Sequence, residues 1–227
     1  MSIEKSIGWV KHTVNPIGGL CPEEYRCSYY YVPPFYDRFG WETAPHLQLE
    51  AFEKCRKRKK PTRYFLCSTH DLFGPWIPRD WIVRIFNQVR KLQRHTFLIL
   101  TKYPERTLDF PQTSDSLDTI PRNCWLGVTI TNRDDLRRFW PLGFHRRLTK
   151  FISFEPFLGD VGDIHEDVLR RVNWIIIGAL TLPGGRTKQP EREWVKSLLK
   201  QADRHKIPVF VKSNLDWPEK RQEIPRR

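Results

Sequence analysis

The sequence predicts an α/β fold, and three observations carry the prediction. Short runs are almost wholly apolar, as in strands buried on both faces. Polar segments with helical spacing separate them. The alternation continues from about residue 64 to residue 212. Seven candidate strands in strict alternation suit either a closed or partial β/α barrel or an open doubly wound sheet, and periodicity does not separate the two. With 227 residues the chain is long enough for one domain with a sizeable core, here residues 1–216, followed by a basic tail at 217–227.

Residues 8–14 alternate as a short first strand, which Asn15-Pro16 closes with turn chemistry. The next stretch, 15–31, combines Gly18-Gly19, Cys21, Cys27 and the run Tyr29, Tyr30, Tyr31. Glycine and proline before Cys21 favour a turn, and a flexible loop can fold two thiolates around one metal centre. Residues 32–49, rich in aromatics and proline, read as an irregular segment beside that loop. Residues 50–60 read as a helix end whose cations suit its C-terminus. The run Arg56, Lys57, Arg58, Lys59, Lys60 is a solvated helix end on the bland reading and a phosphate-contacting patch on the other.

From Pro61 onward, strands are expected at 64–68, 96–100, 125–130, 150–154, 174–178 and 208–212. Helices are expected over 81–92, started by Pro78 and Asp80, and at 134–140, 165–171 and 191–205. The proline-punctuated stretch up to Pro121 holds a short helix at most. The tail after Trp217 shows no apolar face and is expected to be frayed or extended.

Thirty-nine Lys and Arg against 26 Asp and Glu give a formal charge of +13, which points to a polyanionic partner, nucleic acid first; the bland alternative is a generally basic protein whose charge serves no specific contact. The five cysteines, at 21, 27, 55, 67 and 124, lack the spacing of a disulfide scaffold and suit a reducing cytoplasm. No stretch approaches the roughly 18 apolar residues of a membrane span. The seven histidines form no zinc pattern, and Gly184-Gly185-Arg186 lacks the spacing of a phosphate-binding fingerprint.

In parallel β/α folds the active site lies at the carboxyl ends of the strands. The polar residues there are Ser68, His70 and Asp71; Thr101 and Lys102; Thr129 and Asn132; Glu155; Gly178 and Thr181; Lys212 and Asn214. Each alone is more often a cap or turn former. As a set they gain weight, because Glu155, Lys102 and Lys212 would be costly near a core without partners or ligands. Glu155 precedes Pro156, which biases its backbone toward extended geometry, and a salt bridge to Lys102 or Lys212 or a cofactor contact suits it better than catalysis. Cys67, ending a buried strand, reads as a small core residue, the alternative being a further metal ligand.

An ordered set of pieces adds a resemblance: Asn15-Pro16, residues 27–31, 68–73, 100–102 with 104–106, 125–128, 153–159, 174–178 and 209–212. The cysteine segment resembles the cluster-binding loop of radical S-adenosylmethionine enzymes. Most of the chain resembles a phage-associated family of three-cysteine-motif proteins, distantly similar to spore photoproduct lyases. The resemblance implies a partial parallel β/α barrel of the radical SAM type, a [4Fe–4S] cluster and S-adenosyl-L-methionine. It implies Cys21 and Cys27 as metal ligands, and Tyr29, Ser68, Asp71, Lys102, Glu155, Gly178 and Lys212 as cofactor-binding residues. Tyr30 stands where the third cysteine belongs, the spacer between Cys21 and Cys27 is five residues rather than three, and Leu180 replaces a glutamate common in relatives. Either the chain is a radical SAM-like iron–sulfur protein of unknown substrate, with nucleic acid the candidate, or it is a non-catalytic nucleic-acid- or partner-binding module on the same scaffold.

Overall fold

The computed structural model describes residues 7–110 and 119–225. Among these residues seven strands form one sheet: β1 (His12–Val14), β2 (Arg63–Leu66), β3 (Thr96–Thr101), β4 (Cys124–Thr129), β5 (Thr149–Phe154), β6 (Trp174–Ile177) and β7 (Val209–Val211). Every neighbouring pair is parallel, and strands adjacent in the sheet are adjacent in this series from β1 to β7. A doubly wound sheet needs a point where the strand order reverses. This sheet has none, and it curls into a half-barrel, so the architecture is that of a partial β/α barrel.

The near-continuous apolar character of the strands has a simple cause, because both faces are covered. Side chains alternate across a strand. One set, including Phe97, Ile99, Leu126, Val128, Ile152, Phe154, Ile175 and Ile177, joins the large core under the helices. The opposite set, Leu98, Trp125, Phe151, Trp174, Ile176 and Phe210, makes a second core with Trp9, Phe65 and Leu100. Trp174 is its centre, with ring centroids 6.0 Å from Trp9, 6.0 Å from Trp125, 5.8 Å from Phe151 and 6.2 Å from Phe210. The bulky rings lie toward the strand starts and plug that end of the half-barrel. Further along the same inward register come Ser153 and Glu155, then Gly178 and Lys212, so the concave face turns polar toward its carboxyl end.

Among the described residues five α-helices accompany the sheet: α1 (Pro33–Phe39), α2 (Glu53–Lys57), α3 (Arg79–Arg90), α4 (Glu166–Leu169) and α5 (Arg192–Arg204). α3 follows Pro78, whose extended backbone starts it, and buries Ile82, Ile85, Phe86 and Val89 at helical spacing. α5 does the same with Val195, Leu198, Leu199 and Ala202. Where a short helix is expected at 134–140, a 3₁₀ segment runs from Arg133 to Phe144, and Pro141 inside it cannot donate a backbone hydrogen bond. The proline-punctuated stretch begins with a 3₁₀ turn at Pro104–Asp109; residues 111–118 lie outside the described residues. Among the described residues no helix is long and apolar enough to cross a membrane.

The tail does have an apolar anchor. Gln222 bridges Phe210, the Glu223 carbonyl accepts from the Trp174 indole at 2.9 Å, and Ile224 packs on the inner core. One isoleucine among charged residues carries no periodic signal, so a contact made by a single side chain and main-chain groups is invisible to pattern reading.

Two buried histidines make the fold acid-sensitive. His145, 2% exposed with Nε2 3.0 Å from Thr107 Oγ1, and His70, 6% exposed, are both pushed down to about 4 by burial. Between the unfolded value near 6.5 and about 4, the unfolded chain takes up protons that the fold refuses. Their contribution is therefore complete above pH 6.5 and lost as pH falls toward 4, by on the order of 3 kcal/mol per histidine. Urea unfolding at pH 7, 6 and 5 should show the decline, and His145→Gln should flatten part of it. An unchanged unfolding free energy over that range would contradict the assignment.

Candidate functional site

The cysteine loop lies beyond the carboxyl end of β1 and is held to the sheet by side-chain hydrogen bonds. Asn15 Oδ1 accepts from the Ser68 backbone N–H at 2.8 Å and from Ser68 Oγ at 3.0 Å, which joins the ends of β1 and β2. The Asn15 carbonyl accepts from Gln48 Nε2 at 2.8 Å. Ile17–Gly18 pairs antiparallel with His46–Leu47. Gly19 then turns with φ +87°, and a Cβ there would sit 2.3 Å from the Ala44 carbonyl oxygen, so only glycine fits.

Tyr30 closes the loop. Its phenol accepts from the Cys21 backbone N–H at 3.2 Å and stands 3.1 Å from the Thr69 carbonyl oxygen, to which it donates. The hydroxyl also lies against the Cys21 thiol. Burial pushes the phenol well above its ordinary range and raises the Cys21 thiol as well. Tyr30, which the resemblance sets in place of a third cysteine, is thus a neutral phenol, already engaged as donor and acceptor, that fastens the loop to the turn after β2. Cys67 is 3% exposed, and burial raises its thiol well above the usual value. Among the described residues no three His, Cys, Asp or Glu side chains form a metal-holding group. Two thiols and an occupied phenol do not match the three thiolates that the implied cluster would take from the chain.

The residues expected at the strand ends fall into two groups. In the first, Asp71 is a buried hub: Oδ1 accepts from Thr101 Oγ1 at 2.7 Å and the Phe73 N–H at 3.1 Å, and Oδ2 from the Lys102 N–H at 2.7 Å. Burial raises its pKa, with Lys102 and these hydrogen bonds opposing. The Lys102 ammonium sits 5.7 Å from the Tyr29 ring centroid, a cation–π contact. Burial disfavours the Lys102 charge, but Tyr29, Cys27, Asp71 and Cys21 together outweigh it and raise its pKa. Tyr29, Cys21, Cys27, Asp71 and Lys102 are therefore close enough to feel one another's charge. Ser68 is spent on Asn15.

In the second group Lys212, with a side chain 6% exposed, pairs directly with Glu155, whose side chain is 25% exposed. Of the two partners the sequence offered for Glu155, the structure selects Lys212. Burial pulls the lysine down to about 7, and the carboxylate against it favours the charged form. Gly178 makes room: a Cβ there would meet Lys212 Cδ at 3.0 Å, Glu155 Cγ at 3.2 Å and Asn214 Oδ1 at 3.3 Å. Asn214 donates to the Ala179 carbonyl at 2.9 Å and to Thr181 Oγ1 at 3.2 Å, clipping the segments after β6 and β7 together. Ser153 Oγ is buried on the concave side without a hydrogen-bond partner among the described residues.

Some neighbours escape sequence reading. Asp135 accepts from the Thr131 N–H at 2.9 Å and Oγ1 at 2.7 Å and pairs with Arg138 at 2.8 Å, and both charges reach Tyr29. Tyr25 stacks on Trp76 at 5.0 Å, and Trp76 meets Tyr103 edge-on at 5.7 Å, forming an aromatic flank. The only signal for Asp135 is its place just after β4; none exists for the Tyr25 and Trp76 pairing, which spans 51 residues. No curated protein and no solved structure matches the chain. One family model matches residues 4–226, nearly the whole sequence, and the chain therefore belongs to that family, DUF5131, described as proteins of unknown function.

Proposed function

We propose that this chain is a non-catalytic nucleic-acid-binding module on a partial barrel of the radical SAM type, with the cluster-dependent reaction lost. The observation that carries the reading is Tyr30: its phenol takes the third thiolate's position in the resemblance and is tied to Cys21 and Thr69. A phenol is a harder ligand than a thiolate, a poorer match to a cluster built on sulfur, and burial here keeps its proton on. The polar rim follows the same logic. Asp71 is satisfied by protein donors and Glu155 by Lys212, so both carboxylates act as ties between strand ends. Nucleic acid is the ligand class that a charge of +13 favours.

The test restores the missing thiolate. Tyr30→Cys should raise bound iron and sulfide severalfold after anaerobic reconstitution, and adding Cys27→Ala should abolish the gain. Equal iron and sulfide in the unmodified chain and in Tyr30→Cys, both near four per chain, would sink the proposal and favour a working iron–sulfur protein with S-adenosylmethionine as its cofactor.

A further inference from the structure

The positive charge is concentrated at one end of the half-barrel, opposite the candidate site. Seven short segments lead into the strands: residues 8–11, 58–62, 91–95, 119–123, 145–148, 170–173 and 205–208. Together they carry twelve Lys and Arg, every one exposed, and no Asp or Glu. Each of the seven strands is thus entered past at least one cation. The segments leaving the strands are mixed, with Asp71 after β2, Asp134 and Asp135 after β4 and Glu155 after β5.

Helix dipoles explain part of this, since a cation is favoured in a last helical turn. They account for Arg58, Lys91 and Arg170, which directly follow α2, α3 and α4. They do not account for the cations that follow 3₁₀ segments or open strand, nor for the complete lack of acids. Three carboxylates on segments flanking these strand starts are paired: Glu166 with Arg170 at 3.7 Å, and both Asp203 and Glu223 with Arg221 at 2.7 and 2.8 Å. Among the strand starts β5 to β7 lies an open groove of about 420 Å³, whose walls include Arg170, Lys206 and the amide of Asn173.

From this arrangement we infer that the amino-terminal face of the half-barrel is the surface that grips the phosphodiester backbone of a nucleic acid. Strands lie about 4.8 Å apart, so seven strand starts spread over about 30 Å, and a nucleic-acid strand places about eight phosphates in that length at 3.4 Å each. The contacts are to phosphate, without a helix or ribbon to enter a groove and read bases, so binding is insensitive to sequence. The inference rests on the binding-module reading and adds to it which face binds; the mouth holding Cys21, Lys102 and Glu155 stays clear of the backbone.

Fluorescence anisotropy with labelled 20-mer single-stranded and duplex DNA tests this on the full chain. Affinity should fall about a thousandfold between 50 and 200 mM NaCl, as for six or so neutralised phosphates. Lys59→Glu/Lys60→Glu/Arg94→Glu, on the amino-terminal face, should lower affinity at least thirtyfold at 100 mM salt, with an unchanged melting temperature to show that the fold is intact. Should those reversals perturb the fold, the corresponding glutamine triple should still reduce the salt slope by about one per contact removed. Arg186→Glu/Lys188→Glu, beyond β6 on the opposite side, should leave affinity within threefold. Equal losses in both charge-reversed variants, or a loss only in the second, would overturn the assignment of the face. Binding to phosphatidylserine vesicles without binding to either DNA would overturn the choice of partner, and no DNA binding at 50 mM salt would do the same. None of these outcomes alters the iron content, so failure here is separable from failure of the cluster-loss reading.

Discussion

Lys212→Met should destabilise the fold by about 3 kcal/mol, the low end of the range for breaking a buried ion pair, because it leaves the partly exposed Glu155 carboxylate without its counter-charge. The converse change, Glu155→Gln, leaves the lysine unpaired, and burial pulls that group to about 7. The sign of its pH dependence follows. Below pH 7 the orphaned lysine must stay charged in the fold, so the loss is greatest there. Between pH 7 and the unfolded value near 10.5 the unfolded chain binds more protons, so this variant's stability should rise with pH. Glu155→Gln/Lys212→Met removes both charges and should cost less than Lys212→Met alone. Urea denaturation of the three variants at pH 6 and 9 supplies the comparison. A double variant no better than Lys212→Met would mean that packing beside Gly178, not charge pairing, accounts for the loss.

Trp174→Ala should cost about 3–5 kcal/mol, the usual price of truncating a large buried aromatic. The side chain is fully buried, its ring meets Trp9, Trp125, Phe151 and Phe210, and its indole N–H holds the Glu223 carbonyl. Trp174→Phe separates the two roles. It keeps most of the apolar area but releases the tail, so limited proteolysis should cut near residues 218–222 sooner, with a smaller loss of global stability. If both variants lost the same stability and neither gained protease sensitivity, the inner core would not be what docks the tail.

These two sites show what the sequence makes legible. The strands were readable because a sheet covered on both faces demands runs such as residues 97–100 and 174–177, which few other structures require. The choice between open sheet and barrel was not readable, because strand order is a tertiary property that local periodicity does not encode. Strand ends pointed to Asp71, Lys102, Glu155 and Lys212, and two of the groupings among them follow from the half-barrel. The sequence could not say that Asp71 would be saturated by the Thr101 hydroxyl and the Phe73 and Lys102 N–H donors, since those bonds depend on how the turn after β2 meets β3. Tyr30 was legible as a departure from a motif, yet its role as a staple between Cys21 and Thr69 needs a contact 39 residues away. The cations before each strand were in plain view as residues, but their collection on one face becomes visible only when the strands are set side by side.

The measurement that bears most directly on the cluster-loss reading is the iron and acid-labile sulfide content of the unmodified chain after anaerobic reconstitution, set against its electronic absorption near 400 nm. With two thiols and an engaged phenol in the loop, well under one iron per chain and no cluster absorption are expected. About four iron and four sulfide per chain, with the absorption of a [4Fe–4S] centre, would contradict the account at its root.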